Sequence, residues 1–175
     1  MRKLSLYIAT SIDGYIARPD GSVAWLEDIP NPDKSDFGYS DFIKTVDTTL
    51  MGGATYRQIL TFGDWPYKDK RNFVFSRSTD LEHPYASFIN EDVVAFTEEL
   101  KSGKGKDIWL IGGAEINNLL LQNDLIDEII LSIAPVVLGD GIPLFASSTK
   151  QKPFELEKTN TYSNGMVQLK YRNNI

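Results

Sequence analysis

The sequence predicts an α/β fold, a mostly parallel central sheet closed by an antiparallel C-terminal hairpin, and three observations carry that prediction. Two apolar strands each stop at a Gly-Gly pair and turn helical, in Leu50-Met51-Gly52-Gly53-Ala54-Thr55-Tyr56 and in Leu110-Ile111-Gly112-Gly113-Ala114-Glu115-Ile116. Strand-like and helix-like segments alternate up to the second of these junctions, the pattern of parallel strands covered on both faces by crossover helices. The end of the chain differs: residues 154–162 and 166–172 flank Ser163-Asn164-Gly165, and Asn-Gly between two strand-like runs signals a hairpin.

Each element follows from local pattern. Residues 4–10 read as a buried first strand, followed by a loop through Asp13-Gly14 and Asp20-Gly21. A helix is predicted to start at Ser35-Asp36, because Tyr39, Phe42, Ile43 and Val46 recur at helical spacing. It feeds a strand at 48–51 and then a helix over 54–60. An aromatic loop around Trp65-Pro66-Tyr67 precedes a strand at 72–75, which ends in Ser76-Arg77-Ser78. A short strand is placed at 87–89 and a helix at 92–101, and Ser102-Gly103-Lys104-Gly105 breaks the chain before the second Gly-Gly strand. Residues 128–135 read as a fully buried strand. Gly139-Asp140-Gly141, before Pro143-Leu144-Phe145, reads as a turn that needs positive φ, close either to the site or to a subunit contact.

Composition narrows the function. At 175 residues, with 42% apolar and 11% aromatic residues, the chain is expected to form one domain over 1–175 around one core. A net charge of -6, a pI near 4.8 and the lack of a basic run give no footprint for nucleic acid or an anionic membrane, which leaves a small-molecule substrate. The absence of cysteine excludes disulfides, thiol nucleophiles and a His/Cys zinc site, and fits a cytoplasmic protein. The apolar start meets Asp13-Gly14 too soon for a signal peptide, and no stretch is long enough to span a bilayer. The lone His83 has no ligand-spaced partner, so no metal is expected. There is no G-x-S-x-G nucleophile turn, and Glu91-Asp92 and Glu98-Glu99 read as a solvated helix face, not as paired glycosidase acids.

The Gly-Gly junctions point to phosphate. Glycine lets the backbone approach an anion, and the free amides and positive dipole end of the following helix face whatever sits there. One such junction is equally a tight turn. Two of them, on neighbouring strands, suit the two halves of a dinucleotide.

Together with Ala9-Thr10-Ser11-Ile12-Asp13-Gly14-Tyr15-Ile16-Ala17 and the run from Asp127-Glu128 through Pro135 to Gly139-Asp140-Gly141-Ile142-Pro143-Leu144-Phe145, these junctions give the chain a resemblance over nearly its whole length. It resembles the dihydrofolate reductase superfamily. It looks most like the small bacterial relatives of the C-terminal reductase domain of the riboflavin-biosynthesis deaminase/reductase. The resemblance implies a three-layer dihydrofolate-reductase-like fold and NADPH-dependent reduction, with the cofactor across the carboxyl ends of the parallel strands. It assigns phosphate contacts to Gly52, Gly53 and Thr55, and pyrophosphate contacts to Ile111, Gly112, Gly113, Ala114, Glu115 and Ile116. Ala9 and Ile16 would flank the nicotinamide, and Ser76 and Arg77 would take the adenosine 2′-phosphate. Folate reductases commonly carry an arginine where this chain has Gly53, which leaves NADH open beside NADPH. The arginine that grips the folate tail falls near Lys70, a point charge that cannot form the bidentate fork.

The remaining site residues keep two readings. Asp36 matches the superfamily's single active-site carboxylate, with a pKa raised by an apolar cleft, or else caps a helix start. Trp25 lies either in a loop closing over the nicotinamide or in the core. Tyr39 and Phe42 either line the substrate pocket or form a plain core face.

The function expected is hydride transfer from NADPH to a small heterocyclic or carbonyl substrate, with a ribosylated aminopyrimidine first and dihydrofolate or another pterin second. A non-catalytic nicotinamide-nucleotide-binding protein is the alternative from another class. A homodimer is also expected, through the apolar run Ile129, Ile130, Ile133, Val136 and Val137, although the same residues would serve a monomer's core.

Overall fold

A computed structural model describes residues 1–78, 81–147 and 150–174. The strands are β1 (Leu4–Thr10), β2 (Tyr15–Ala17), β3 (Val46–Gly52), β4 (Arg71–Phe75), β5 (Ala86–Ile89), β6 (Asp107–Gly112), β7 (Glu128–Ile133), β8 (Ile142–Pro143), β9 (Phe154–Thr161) and β10 (Val167–Asn173). The helices are α1 (Tyr39–Thr45), α2 (Gly53–Leu60), α3 (Val93–Ser102) and α4 (Ala114–Gln122). Eight strands form one sheet in the order β5-β4-β3-β6-β1-β7-β10-β9, parallel from β5 to β7, with β10 antiparallel to both of its neighbours.

The two faces of the sheet are sorted by the alternation of strand side chains. Leu4 and Leu6 of β1, Leu50 of β3 and Leu110 of β6 are wholly buried on one face, packed with Phe96 and Leu100 of α3 and Leu120 of α4. Tyr7, Trp109 and Ile130 point to the other face, where Phe42 of α1 and Val46 join them. Met51, Val74 and Trp65 meet Tyr56 and Ile59 of α2 on that same face. Helices therefore cover both faces of the parallel strands, as the alternating pattern predicts.

Charge is buried at the amino ends of these strands. The Arg2 guanidinium donates to Asp47, to the Thr48 hydroxyl and to the Lys106 carbonyl. The Lys101 ammonium donates to the Leu125 carbonyl and the Asp127 carboxylate, each at 2.7 Å. At their carboxyl ends, β3 and β6 finish in glycines.

Three expectations need correction. The helix predicted from Ser35-Asp36 begins at Tyr39, because Phe37 and Gly38 take positive φ (54° and 82°) and turn the chain before it can coil. The loop after β1 contains β2, which pairs antiparallel with β8, and that turn is where Gly139 takes φ of 81°. A Cβ on Gly141 would stand 2.2 Å from the Ala17 carbonyl oxygen, so only glycine admits this close approach. The apolar run offered as a dimer face lies largely inside the sheet: β7 is flanked by β1 and β10, Ile129 and Ile130 are buried, and only Val137 is strongly exposed.

The C-terminal hairpin forms as read. Tyr162 N–H donates to the Met166 carbonyl, and Gly165 N–H to the Tyr162 carbonyl, both at 3.0 Å. Gly165 alone in this connection has positive φ, which rules out a two-residue type I′ turn.

Candidate active site

The register of β3 against β6 brings the two Gly-Gly junctions together, with Met51 opposite Gly112. Gly52 precedes α2 and Gly113 precedes α4, both in extended backbone and neither helix start receiving a side-chain cap. The first-turn amides of both helices therefore face the same space, each with the positive end of a helix dipole. A Cβ on Gly52 would stand 3.2 Å from Ile116 Cγ1, and one on Gly113 would stand 3.3 Å from Thr55 Oγ1. Gly112 has φ of 116° and is joined to Gly113 by a cis peptide bond. Gly52, Gly53, Thr55, Gly112, Gly113 and Ile116 thus form one cradle. Ala114 and Glu115 open α4 beside it, and Ile111 packs below it against the core.

Asn117, fully buried in α4, secures this cradle to a distant loop. Its Nδ2 donates to the Leu144 carbonyl at 2.9 Å, and its Oδ1 lies against the α-carbon side of Gly112. Leu144 N–H in turn donates to the Gly14 carbonyl at 3.0 Å. Asp13 completes the loop by accepting from the Leu138 and Gly139 amides. Its carboxyl is lowered to about 2, first by the Ser11 hydroxyl and then by those amides.

Parallel pairing of Gly52 with Phe75 places Ser76 and Arg77 next to the start of α2. Ser76 N–H donates to the Ile89 carbonyl, its Oγ accepts from Ser78 N–H, and among the described residues the hydroxyl proton has no acceptor. Arg77 is exposed.

A cavity of about 260 Å³ opens at the end of β1, lined by Ala9, Tyr7, Leu26, Ile29, Tyr39, Asp36, Ser132, Asn164 and Met166, among others. Tyr7 donates to the Phe37 carbonyl at 2.9 Å, and burial pushes its phenol up to about 12, so it is a neutral donor. Gln168 fixes the same wall, donating to the Phe37 carbonyl at 2.9 Å and to the Ser132 hydroxyl at 3.1 Å. Burial likewise raises Tyr39.

Asp36 borders this cavity but is exposed, and the raised pKa expected for it is overturned. The Ser40 side chain, then the amides of Ser40 and Gly38, hold its carboxyl below the ordinary value. Those amides donate at 2.9 and 3.0 Å. The side chain caps the start of α1 from two residues before Gly38, and it is ionised at neutral pH.

Two expected pocket residues lie elsewhere. Trp25 is 2% exposed and packs with Ala134 and Met166, anchoring its loop behind the cavity wall. Phe42 is buried with its ring stacked on Tyr7 at 4.5 Å, so it supports the wall from within the core. Ile16, on β2, is half-buried and outside the cavity lining. Tyr7, Ser132 and Asn164 escaped the sequence reading. Tyr7 had a local signal, the alternate face of a strand already recognised, whereas Ser132 and Asn164 reach the cavity only through the pairing of β7 with β10.

The chain is similar to known proteins over nearly its whole length. The RibD C-terminal domain family matches residues 2–168 of the chain. YwjB of Bacillus subtilis (strain 168) is 45% identical over 172 residues, 97% of each chain. A crystal structure of a protein named for riboflavin biosynthesis, from Shewanella sp. PV-4, superposes over 100% of both chains with 32% identity and a TM-score of 0.87. Dihydrofolate reductase from Enterococcus faecalis, solved with NADP(H) and RAB-propyl, superposes over 99% of this chain and 97% of its own with a TM-score of 0.73. At 16% identity that likeness speaks for the fold alone. The chain belongs to the RibD C-terminal domain family and has the dihydrofolate-reductase-like fold.

Proposed function

We propose that this chain is an NADPH-dependent reductase that delivers hydride to a small heterocyclic substrate, with a ribosylated aminopyrimidine of the kind used in riboflavin biosynthesis as the first candidate. The observation that supports it most is the meeting of two uncapped helix starts in one glycine-walled cradle next to the end of β1. The cradle fits a dinucleotide: Gly52 and Gly113 leave space that a Cβ would fill, and the open amides suit pyrophosphate.

Reduced nicotinamide, when bound, supplies the hydride. The chain's own part is to hold the reactants together and exclude water. Ala9 and Tyr39 wall the cavity, and Tyr7 and Ser132 set polar groups in that wall. Asp36, ionised, accepts a hydrogen bond from a ring N–H or amino group of the substrate; water beside this exposed carboxylate supplies the proton to the product. Ser76 and Arg77 favour NADPH over NADH by contact with the 2′-phosphate.

One observation ranks the pyrimidine above dihydrofolate. Lys70, at the position of the folate-tail arginine, pairs with Asp69 at 2.8 Å and does not line the cavity. A reductase fed by NADPH suits the cytoplasm, and a homodimer is the assembly the resemblance implies. Sedimentation velocity giving only a species of 19.7 kDa would remove the dimer.

The deciding experiment is a titration with NADPH and with NADH, followed by a turnover assay on the aminopyrimidine and on dihydrofolate. Saturable NADPH binding with pyrimidine-dependent oxidation supports the proposal. Binding without turnover on either substrate favours a nucleotide-binding protein, and no binding ends the reductase reading.

A further inference from the structure

The carboxyl end of β4 delivers Arg77 beside the start of α2, and the Arg57 guanidinium lies over that same start. Arg57 leaves α2 one turn after Gly53, and helical side chains lean toward the N-terminus. Its Nη1 lies 3.5 Å from the point where a Cβ on Gly53 would stand, and the Phe75 carbonyl oxygen lies 3.7 Å from the same point. The guanidinium is therefore folded over the first turn of α2, at the strand end that delivers Ser76 and Arg77. Both arginines are exposed, and among the described residues neither forms an ion pair.

For the protein alone this placement is unfavourable. A cation over a helix N-terminus faces the positive end of the dipole, and a second cation nearby adds repulsion. A basic side chain in the last turn of α2 gains by staying near the C-terminus, yet Arg57 turns away from it. In a chain with 24 acidic and 18 basic residues, an arginine folded over a helix start, next to the strand end that carries Ser76 and Arg77 and without an ion-pair partner among the described residues, marks a place for a strongly charged anion. Gly53 fits the same account. Its backbone lies outside the positive-φ region, so conformation does not demand glycine, and a side chain longer than a methyl would displace the guanidinium.

We propose that Arg57 is the specificity-determining cation for a phosphomonoester on the adenosine ribose of the cofactor, acting with Arg77 and Ser76. This rests on the NADPH reading above and adds the residue that separates NADPH from NADH. A guanidinium can bind such a dianion through two parallel N–H bonds, and a ribose hydroxyl offers it far less.

The test compares wild type, R57A and the double variant G53R/R57A, titrated with NADPH, NADH, 2′,5′-ADP and 5′-AMP. The expected result is an R57A protein that loses about tenfold or more in affinity for NADPH and 2′,5′-ADP, with NADH and 5′-AMP changed less than about twofold. G53R, which places a guanidinium in the same space, is expected to restore the preference. Since Arg57 is exposed, thermal melting should coincide for wild type and R57A. If wild type prefers NADPH but R57A weakens both nucleotides equally, or neither, the role of Arg57 is overturned while the cofactor reading stands. If wild type binds neither nucleotide, or both alike, the 2′-phosphate reading falls and the inference with it.

Discussion

Replacing Asp36 by Asn separates its two possible duties. Asn also caps helix starts well, so D36N should melt close to wild type, whereas D36A should melt lower. A charged hydrogen bond to substrate is lost in either case, and kcat/KM should fall about tenfold to a hundredfold. An unchanged kcat/KM in D36N would leave Asp36 as a cap only. Because its folded pKa lies below 3.8, any rising limb of the pH profile near neutrality belongs to another group. Asp13 gives a separate pH signature. Its pKa falls from 3.8 to about 2 on folding, so its stabilising contribution is present above the higher value and lost as pH falls through the lower one. The stability gap between wild type and D13N, followed by thermal melting, should be constant near neutrality and shrink between those two values. These two carboxylates show where sequence reading stops. The spacing of Asp36 before Met51 located it near the site, but the amides of Gly38 and Ser40 reach it because Phe37 takes positive φ, a conformation that its own propensity opposes.

Elements defined by local pattern were legible almost residue for residue. β1 occupies 4–10 as read, Asp92 caps α3 by accepting from Ala95 N–H, and both Gly-Gly turns start helices. The short β2–β8 ladder was not legible, because three residues and two residues far apart in sequence carry no periodicity, and their pairing exists only after the chain has closed. It can be broken at a single point. Gly141→Ala places a methyl against the Ala17 carbonyl, and the overpacking should cost about 1–3 kcal/mol, read as a lower midpoint in urea with an unchanged slope. A midpoint equal to that of wild type would mean that the ladder contributes nothing. The helical spacing of Tyr39, Phe42 and Ile43 was also correct, although Val46, read on the same helix, is extended and opens β3, and the spacing could not say which residue looks into a cavity. α1 turns Tyr39 to the lining and Phe42 onto Tyr7.

At the scale of the whole molecule, buried charge and the proposed cofactor cradle occupy opposite ends of β3 and β6. Leu110, wholly buried in the middle of the sheet, should lose about 2–5 kcal/mol on change to Ala, seen as a lower Tm, while the affinity of the folded fraction for NADPH stays close to that of wild type. A large drop in that affinity would show that the core and the cradle are not separable. The parallel order was readable from alternation, but the convergence of β1, β7 and the turn between β9 and β10 on one cavity depends on strand order, which a linear pattern does not encode. The peptide unit of Leu144 brings one more property out of this closure. The Leu144 carbonyl accepts from Asn117 of α4, and the N–H of the same residue donates to the Gly14 carbonyl. A nucleotide that orders the start of α4 should therefore slow amide exchange at Leu144. By thermodynamic reciprocity, a substrate that quiets the Gly14 turn should tighten the grip on the nucleotide, so that each ligand reports the arrival of the other.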